Sequence, residues 1–190
     1  MAHEPTTLRP ELQQKLLRIA RETIDSYIRT KTIPTFDVSE PELLEKCGAF
    51  VTIKRHQQLR GCIGYIEGIK PLWETIVDMA VAASTEDPRF QPMTVAELGD
   101  FDLEISVMTP LRKVEHPEEV VVGTHGILLR RGYRSGLLLP QVATEYGWDR
   151  ETFLAHTCQK AGLPMDAWRD PQTAIYIFSA QVFHEGEALS

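Results

Sequence analysis

One plan is written twice in this chain: a glycine, a short apolar run, a basic turn, a return run bearing another glycine, then a proline and a helical pattern. The first copy starts at Gly48 as GAFVTIKRHQQLRG and the second at Gly126 as GILLRRGYRSG. Apolar runs joined by so few residues have no room for a crossover helix, so they pair as antiparallel hairpins. Strands that pair in this way favour an α+β architecture over a doubly wound parallel sheet. Two hairpin–helix units also fit two related lobes.

The remaining pattern fills in the helices and a further strand. From Pro10 to Arg29 the apolar residues Leu12, Leu16, Ile19, Ala20, Ile24, Tyr27 and Ile28 recur at three-to-four spacing, with Pro10 suited to a first turn. A turn-rich stretch, TIPTFDVSEP, leads to a short helix expected at Glu42–Cys47. Gly48–Lys54 and Leu59–Ile66 read as strands around a turn at Arg55–Gln58. Pro71 opens a helix with Leu72, Ile76, Met79, Ala80 and Ala83 on one face, stopped by SerThrGluAspPro at 84–88. A helical turn at Thr94–Leu98 precedes Phe101–Met108, whose strict alternation predicts a half-buried strand with one wet face. The second hairpin spans Gly126–Arg131 and Gly136–Leu139; Pro140 starts a short helix to Gly147, and Asp149 caps another through Ala161, closed by Gly162 and Pro164. Thr173–Phe183 reads as a final strand with Ile175, Ile177 and Val182. No Pro- or Ser-rich linker interrupts residues 1–190, so a single domain is expected.

Composition bounds the function. With 43% hydrophobic and 25% charged residues over 190 positions, the chain has enough apolar material for a full core. Its longest apolar runs, such as Met79–Ala83, are five residues, far short of the roughly 18 that a helical membrane span needs. The segment MAHEPTTLRP has no apolar export region and three cysteines cannot all pair, so a reduced, cytoplasmic location and no membrane partner are expected. The net charge of -7 divides as -1 over residues 1–95 and -6 over residues 96–190. That balance disfavours a broad nucleic-acid surface while leaving room for a local anion site.

The segment Leu59-Arg60-Gly61-Cys62-Ile63-Gly64 is the most unusual. As a regular strand it would send Leu59, Gly61, Ile63 and Tyr65 to the core side, and Arg60, Cys62 and Gly64 to the other. A guanidinium two residues from Cys62 would favour thiolate, making Cys62 a candidate nucleophile. Gly61 and Gly64 would let a ligand or a second backbone approach. The plainer reading, favoured on sequence alone, has Cys62 as a small buried filler and the glycines serving packing or a bulge. Cys47 and Cys158 lie in helical patterns without activating neighbours. The basic turns, Lys54, Arg55, His56 and Arg60 in one hairpin and Arg130, Arg131 and Arg134 in the other, would form a positive patch if they lay side by side. Basic hairpin tips also serve simply to protect strand edges, the plainer reading. In Glu86-Asp87-Pro88-Arg89-Phe90, an Asp87–Arg89 pairing would fix a turn, or Arg89 would position a substrate. The histidines at 3, 56, 116, 125, 156 and 184 show no metal-binding spacing and no CxxC occurs, so no metal is expected, a long-range pairing such as His125 with Cys62 being the one alternative. Phosphate-loop, dinucleotide and GxSxG fingerprints are absent.

These residues resemble a known family, the domain named for the AMME syndrome chromosomal region, called in prokaryotes AmmeMemoRadiSam system protein A. The resemblance rests on GAFVTIK (48–54), QLRGCIGY (58–65), EDPRF (86–90), DLEISVMTP (102–110), GTHGILL (123–129), GLLLPQVATEYGWD (136–149) and CQKAGLPMDAWRDP (158–171). It implies an α+β fold of antiparallel sheets with flanking helices, two unequal lobes in one compact unit, and a single domain over residues 1–190 with two subdomains. It implies no particular reaction. It suggests a modification pathway shared with a radical SAM protein and a Memo-type protein, and leaves any cofactor unknown. The expectation is therefore a ligand- or partner-binding component, with Arg60, Gly61, Gly64, Arg89, His125 and Arg131 as binding candidates for a small anionic ligand. The alternative is a transferase-like enzyme in which Cys62 acts on an anionic substrate held by Arg60.

Overall fold

The computed structural model describes residues 7–186. Helix α1, Pro10–Thr30, buries the predicted stripe of Leu12, Leu16, Ile19, Ala20, Ile24 and Ile28, and ends where Lys31 turns into the left-handed region at φ 58°. A one-turn helix α2, Pro41–Leu44, follows. It is shorter than the expected Glu42–Cys47, because Lys46 leaves the helix to make an isolated antiparallel bridge with Pro71. Cys47 therefore lies in a connection rather than in helical surroundings.

Strands β1, Ala49–Arg55, and β2, Gln58–Tyr65, form the first hairpin. Its two-residue turn puts His56 and Gln57 at φ 50° and 65°, the twist that matches paired strands. Helix α3, Leu72–Thr85, packs against α1 and against both hairpin strands. That environment explains why Leu72, Ile76, Val77, Met79, Ala80, Ala82 and Ala83 are all buried, more than one amphipathic stripe. Strand β3, Asp102–Met108, pairs antiparallel with β1 and alternates as predicted: Leu103, Ile105 and Val107 are buried, whereas Asp102, Glu104 and Ser106 face the other way. The first sheet has the order β2-β1-β3-β8, with β8 at Ala180–His184.

The second sheet has the order β4-β7-β5-β6. It comprises β4 (Arg112–Lys113), β5 (Gly126–Arg131), β6 (Arg134–Leu138) and β7 (Ala174–Phe178). Helices α4, Pro140–Tyr146, and α5, Arg150–Lys160, complete it. Asp149 caps α5 as expected, its side chain accepting from the Thr152 amide at 2.8 Å. The core here joins Ile127, Leu129, Phe153, Leu154, Cys158, Ile175 and Ile177. Each sheet thus has its own core, and the chain divides into two compact units, one spanning Leu111–Ala180 and the other formed by the rest. No helix among the described residues is long and apolar enough to cross a membrane.

Two expectations need correction. Thr173–Phe183 is not one strand: β7 belongs to the second sheet and β8 to the first, and in β8 Phe183 is buried while Val182 is exposed. The buried positions keep one parity through Ile175, Ile177 and Phe183, so Val182 falls on the opposite, exposed side, and what divides the segment is a change of sheet at Ser179 that alternation does not record. Regular alternation also fails in β2. Leu59 pairs with Lys54 and Gly61 with Ile53, so Arg60 is an extra residue, a β-bulge. The bulge swings Leu59 onto the face of Lys54 and Thr52, where it is 42% exposed, and Tyr65 at the strand end is 44% exposed. Only Gly61 and Ile63 meet the core side.

In the first unit's helices, the hydroxyls of Thr23 and Thr75 are buried without a hydrogen-bond partner. Burying an unpaired hydroxyl costs about 1–3 kcal/mol. Thr75→Val, which keeps the shape and removes the polar atom, should raise the urea midpoint of unfolding; a lowered midpoint would show that the hydroxyl is satisfied in solution.

Candidate functional site

Strand β2 lies at the edge of its sheet, so alternate backbone groups point away from β1 and need partners. For Cys62 the turn that follows α3 supplies them. A Cβ on Gly61 would fall 2.1 Å from the Ala83 carbonyl oxygen, so only glycine lets the helix end sit this close to the strand. The chain then leaves α3 and turns at Asp87-Pro88, bringing the Asp87 carboxylate to the strand edge. That carboxylate accepts the Cys62 amide at 2.9 Å and the Arg89 amide at 3.1 Å. It also accepts Arg89 Nε at 3.0 Å and Nη2 at 2.7 Å. Asp87 thus does for Cys62 what a neighbouring strand would do.

The electrostatics follow from burial. The Asp87 side chain is 2% exposed, and a carboxylate taken out of water is costly unless donors replace the water. Here the Arg89 side chain, then the Cys62 and Arg89 amides, hold it far below the usual carboxylate range despite desolvation. Arg89 itself remains 54% exposed. Its Nη2 also approaches the Cys62 carbonyl at 3.4 Å, and its Nη1 bonds to no described residue. The outcome is a guanidinium fixed along one edge and open along the other.

The Cys62 thiol is half-buried on the sheet face opposite the core. Its Sγ lies 3.1 Å from Thr52 Oγ1. Burial pushes the thiol up, opposed by the Thr52 hydrogen bond and the Arg89 charge. The net direction reverses the expectation that Arg60 would favour thiolate. Displaced by the bulge, Arg60 instead gives Nε to Glu97 at 2.8 Å and Nη2 to the Gln91 carbonyl at 2.9 Å. The guanidinium beside Cys62 is that of Arg89. Around the thiol the same face carries Phe50, Lys54, Gly64, Glu104 and Ser106. Lys54 and Glu104 pair at 2.8 Å. A Cβ on Gly64 would fall 2.4 Å from Phe50 Cγ, so this glycine makes room for the ring.

The basic turn of the first hairpin is not an open positive patch. Arg55 meets Glu97 at 3.2 Å and Asp100 at 3.1 Å, and His56 meets Asp100 at 3.0 Å. Each basic side chain of the first hairpin thus has a carboxylate partner. In the second unit Arg131 pairs with Asp170 at 3.0 Å, Arg134 donates to the Gly162 carbonyl at 2.6 Å and Arg130 lies over the Tyr176 ring. His125, also in the second unit, accepts the Val121 amide on Nδ1 at 3.0 Å. Burial, then the charge of Arg112, lowers its pKa, which suits a neutral acceptor closing a loop. Among the described residues no group of three His, Cys, Asp or Glu comes together as metal ligands would. Cys47 packs against the first core, and Cys158 is fully buried in the second.

Of the residues singled out from sequence, Cys62 and Arg89 come together, and Gly61 and Gly64 support them. Thr52 and Glu97 were missed. Counting back from the hairpin turn without a bulge opposes Thr52 to Gly61; only the extra residue at Arg60 brings it opposite Cys62.

Comparison with known proteins adds kinship. A family model described as AMMECR1 matches residues 17–183. A protein of Methanothermobacter thermautotrophicus is 46% identical over 177 residues, 90% of this chain and 92% of its own length. Protein MK0488 of Methanopyrus kandleri is 48% identical over 181 residues, 90% of this chain and 87% of its own. The crystal structure of uncharacterized protein PH0010 from Pyrococcus horikoshii is similar, with a TM-score of 0.84 and 41% identity, covering 94% of each chain.

Asp87→Asn should destabilise the protein by about 2 kcal/mol or more in urea unfolding, since it strips the charge from a buried acceptor of four donors. The Asp87 pKa is lowered on folding, so its stabilisation is complete above the ordinary value near 4 and lost as the pH falls below it. The variant should accordingly lose the steep acid limb of the stability profile; an unchanged limb would place acid sensitivity elsewhere.

Proposed function

The chain belongs to the AMMECR1 family, and from that premise we propose that it is a binding component rather than a nucleophilic enzyme, taking a small anionic ligand or partner segment beside Cys62, Thr52 and Arg89. The observation that carries this reading is the asymmetry of the site. Cys62 has a hydroxyl for its hydrogen-bond neighbour, Glu104 on the same face is already paired with Lys54, and burial favours the thiol, so no described group stands ready to take its proton. Arg89 is pre-oriented by a buried carboxylate and exposed along its other edge, so it loses little further freedom when it meets an anion. Arg60, Gly61 and Gly64 act as supports of that site: one anchors Glu97, one admits α3 and one admits Phe50. Arg131 and His125 serve the second unit in the same structural way.

The setting we propose is the modification pathway with a radical SAM protein and a Memo-type protein, supported by the family resemblance. The carboxylates matched to every basic side chain of the first turn, and Asp170 matched to Arg131 in the second, count against a nucleic-acid surface. A transferase-like reaction through Cys62 would need a group to take the thiol proton, and Thr52 does not supply one.

Two measurements test this. Iodoacetamide should modify Cys62 slowly at pH 7, at a rate still rising beyond pH 9, as followed by peptide mass spectrometry; fast modification with a plateau near neutrality would restore the nucleophile. Co-purification with the Memo-type and radical SAM proteins should survive Cys62→Ala and fall at least tenfold with Arg89→Glu, while Arg131→Glu leaves it within twofold. An Arg89→Glu variant that binds normally would refute the site.

A further inference from the structure

The extended segment between α1 and α2 borders two adjoining depressions in the first unit, neither sharing a residue with the Cys62 face. One, of about 240 Å³, runs between residues 33–36 and the first two turns of α3, against Phe36, Trp73 and Val77. The other, of about 430 Å³, is lined by Leu98 and Phe101 together with Arg21, Glu22 and Asp25 of α1. Pro34 lines both, so the two share one wall. Ile33 stands beside them 51% exposed. The segment is held in place: Lys15 gives its Nζ to the Asp37 carbonyl at 2.9 Å and to Glu40 at 2.7 Å. The depressions are therefore built before anything binds.

Their charge is lopsided. Both lining cations are already taken, Arg21 by Glu185 at 2.6 Å and Lys70 by Asp78. Asp25 is paired with Arg29 at 3.0 Å. Glu22 and Glu74 make no hydrogen bond or ion pair with any described residue, Glu74 acting only through space on Lys70, whose ammonium is held by Asp78. An apolar lining with surplus carboxylates at its rim complements a cationic, apolar occupant. The smaller depression is below the roughly 300–1,000 Å³ of a small-molecule pocket and has room for one or two side chains.

We infer that this surface docks a basic, apolar-rich segment of a partner protein, with a large aliphatic or aromatic side chain against Trp73 and Val77 and flanking Lys or Arg at Glu74 and Glu22. The experiment pans a random heptapeptide display library on the full-length wild-type protein. Enriched peptides should be net positive, carry at least one large apolar residue, and quench Trp73 fluorescence in a Trp148→Phe, Trp168→Phe background. Their affinity should fall at least tenfold in a Glu22→Lys, Glu74→Lys double variant of unchanged thermal midpoint, and fall again with rising salt, while Arg131→Glu retains them. Absence of enrichment, a neutral or acidic consensus, or full binding by the double variant would overturn the assignment.

Discussion

A carboxylate cannot be buried without donors to replace its water, and Asp87 meets that demand in a way that organises the first unit. Its four donors come from an edge strand and from the turn that leaves α3, so the same contacts hold the helix end, protect the strand edge and orient Arg89. Each depends on the others. Without Gly61 the helix end stands too far from β2; without Asp87 the Cys62 amide is orphaned; without Arg89 the carboxylate is left with backbone amides alone.

The bulge at Arg60 is the second organising device. An edge strand invites pairing with another chain, and a bulge interrupts the ladder while re-aiming side chains. Here it sends Arg60 to Glu97, which also takes Arg55 and the Thr94 amide. Glu97 thereby joins the hairpin tip to the loop before β3, and Arg60 first, then Thr94 and Arg55, lower its pKa. Most of the motif LRGCIG is thus accounted for by support. What remains outside that support is narrow: the half-buried Cys62 thiol and the free edge of one guanidinium.

Much of this was legible in the sequence, for reasons that can be named. The stripe of α1, the alternation of β3, the cap at Asp149 and the Asp87–Arg89 pairing are local, involving residues within a few positions of each other. The two hairpin–helix plans appear as β1–β2–α3 and β5–β6–α4. Strand β4 was not legible, because Arg112 and Lys113 have no apolar pattern and are strand only by pairing with Ile177 and Tyr176. The thiolate reading of Cys62 counted a nearby guanidinium and left out burial, which outweighs the Arg89 charge; the plainer reading, a small and partly buried residue, allowed for it.

The sequence by itself determined the fold class, the periodic elements and the kinship, since these rest on short-range pattern. Tertiary structure alone decided which side chains meet. Charge neutralisation of the first basic turn, the Thr52–Cys62 contact and the splitting of the last strand between two sheets all depend on registers and long-range pairings. One inserted residue at Arg60 shifts those registers, and no local periodicity records its consequences.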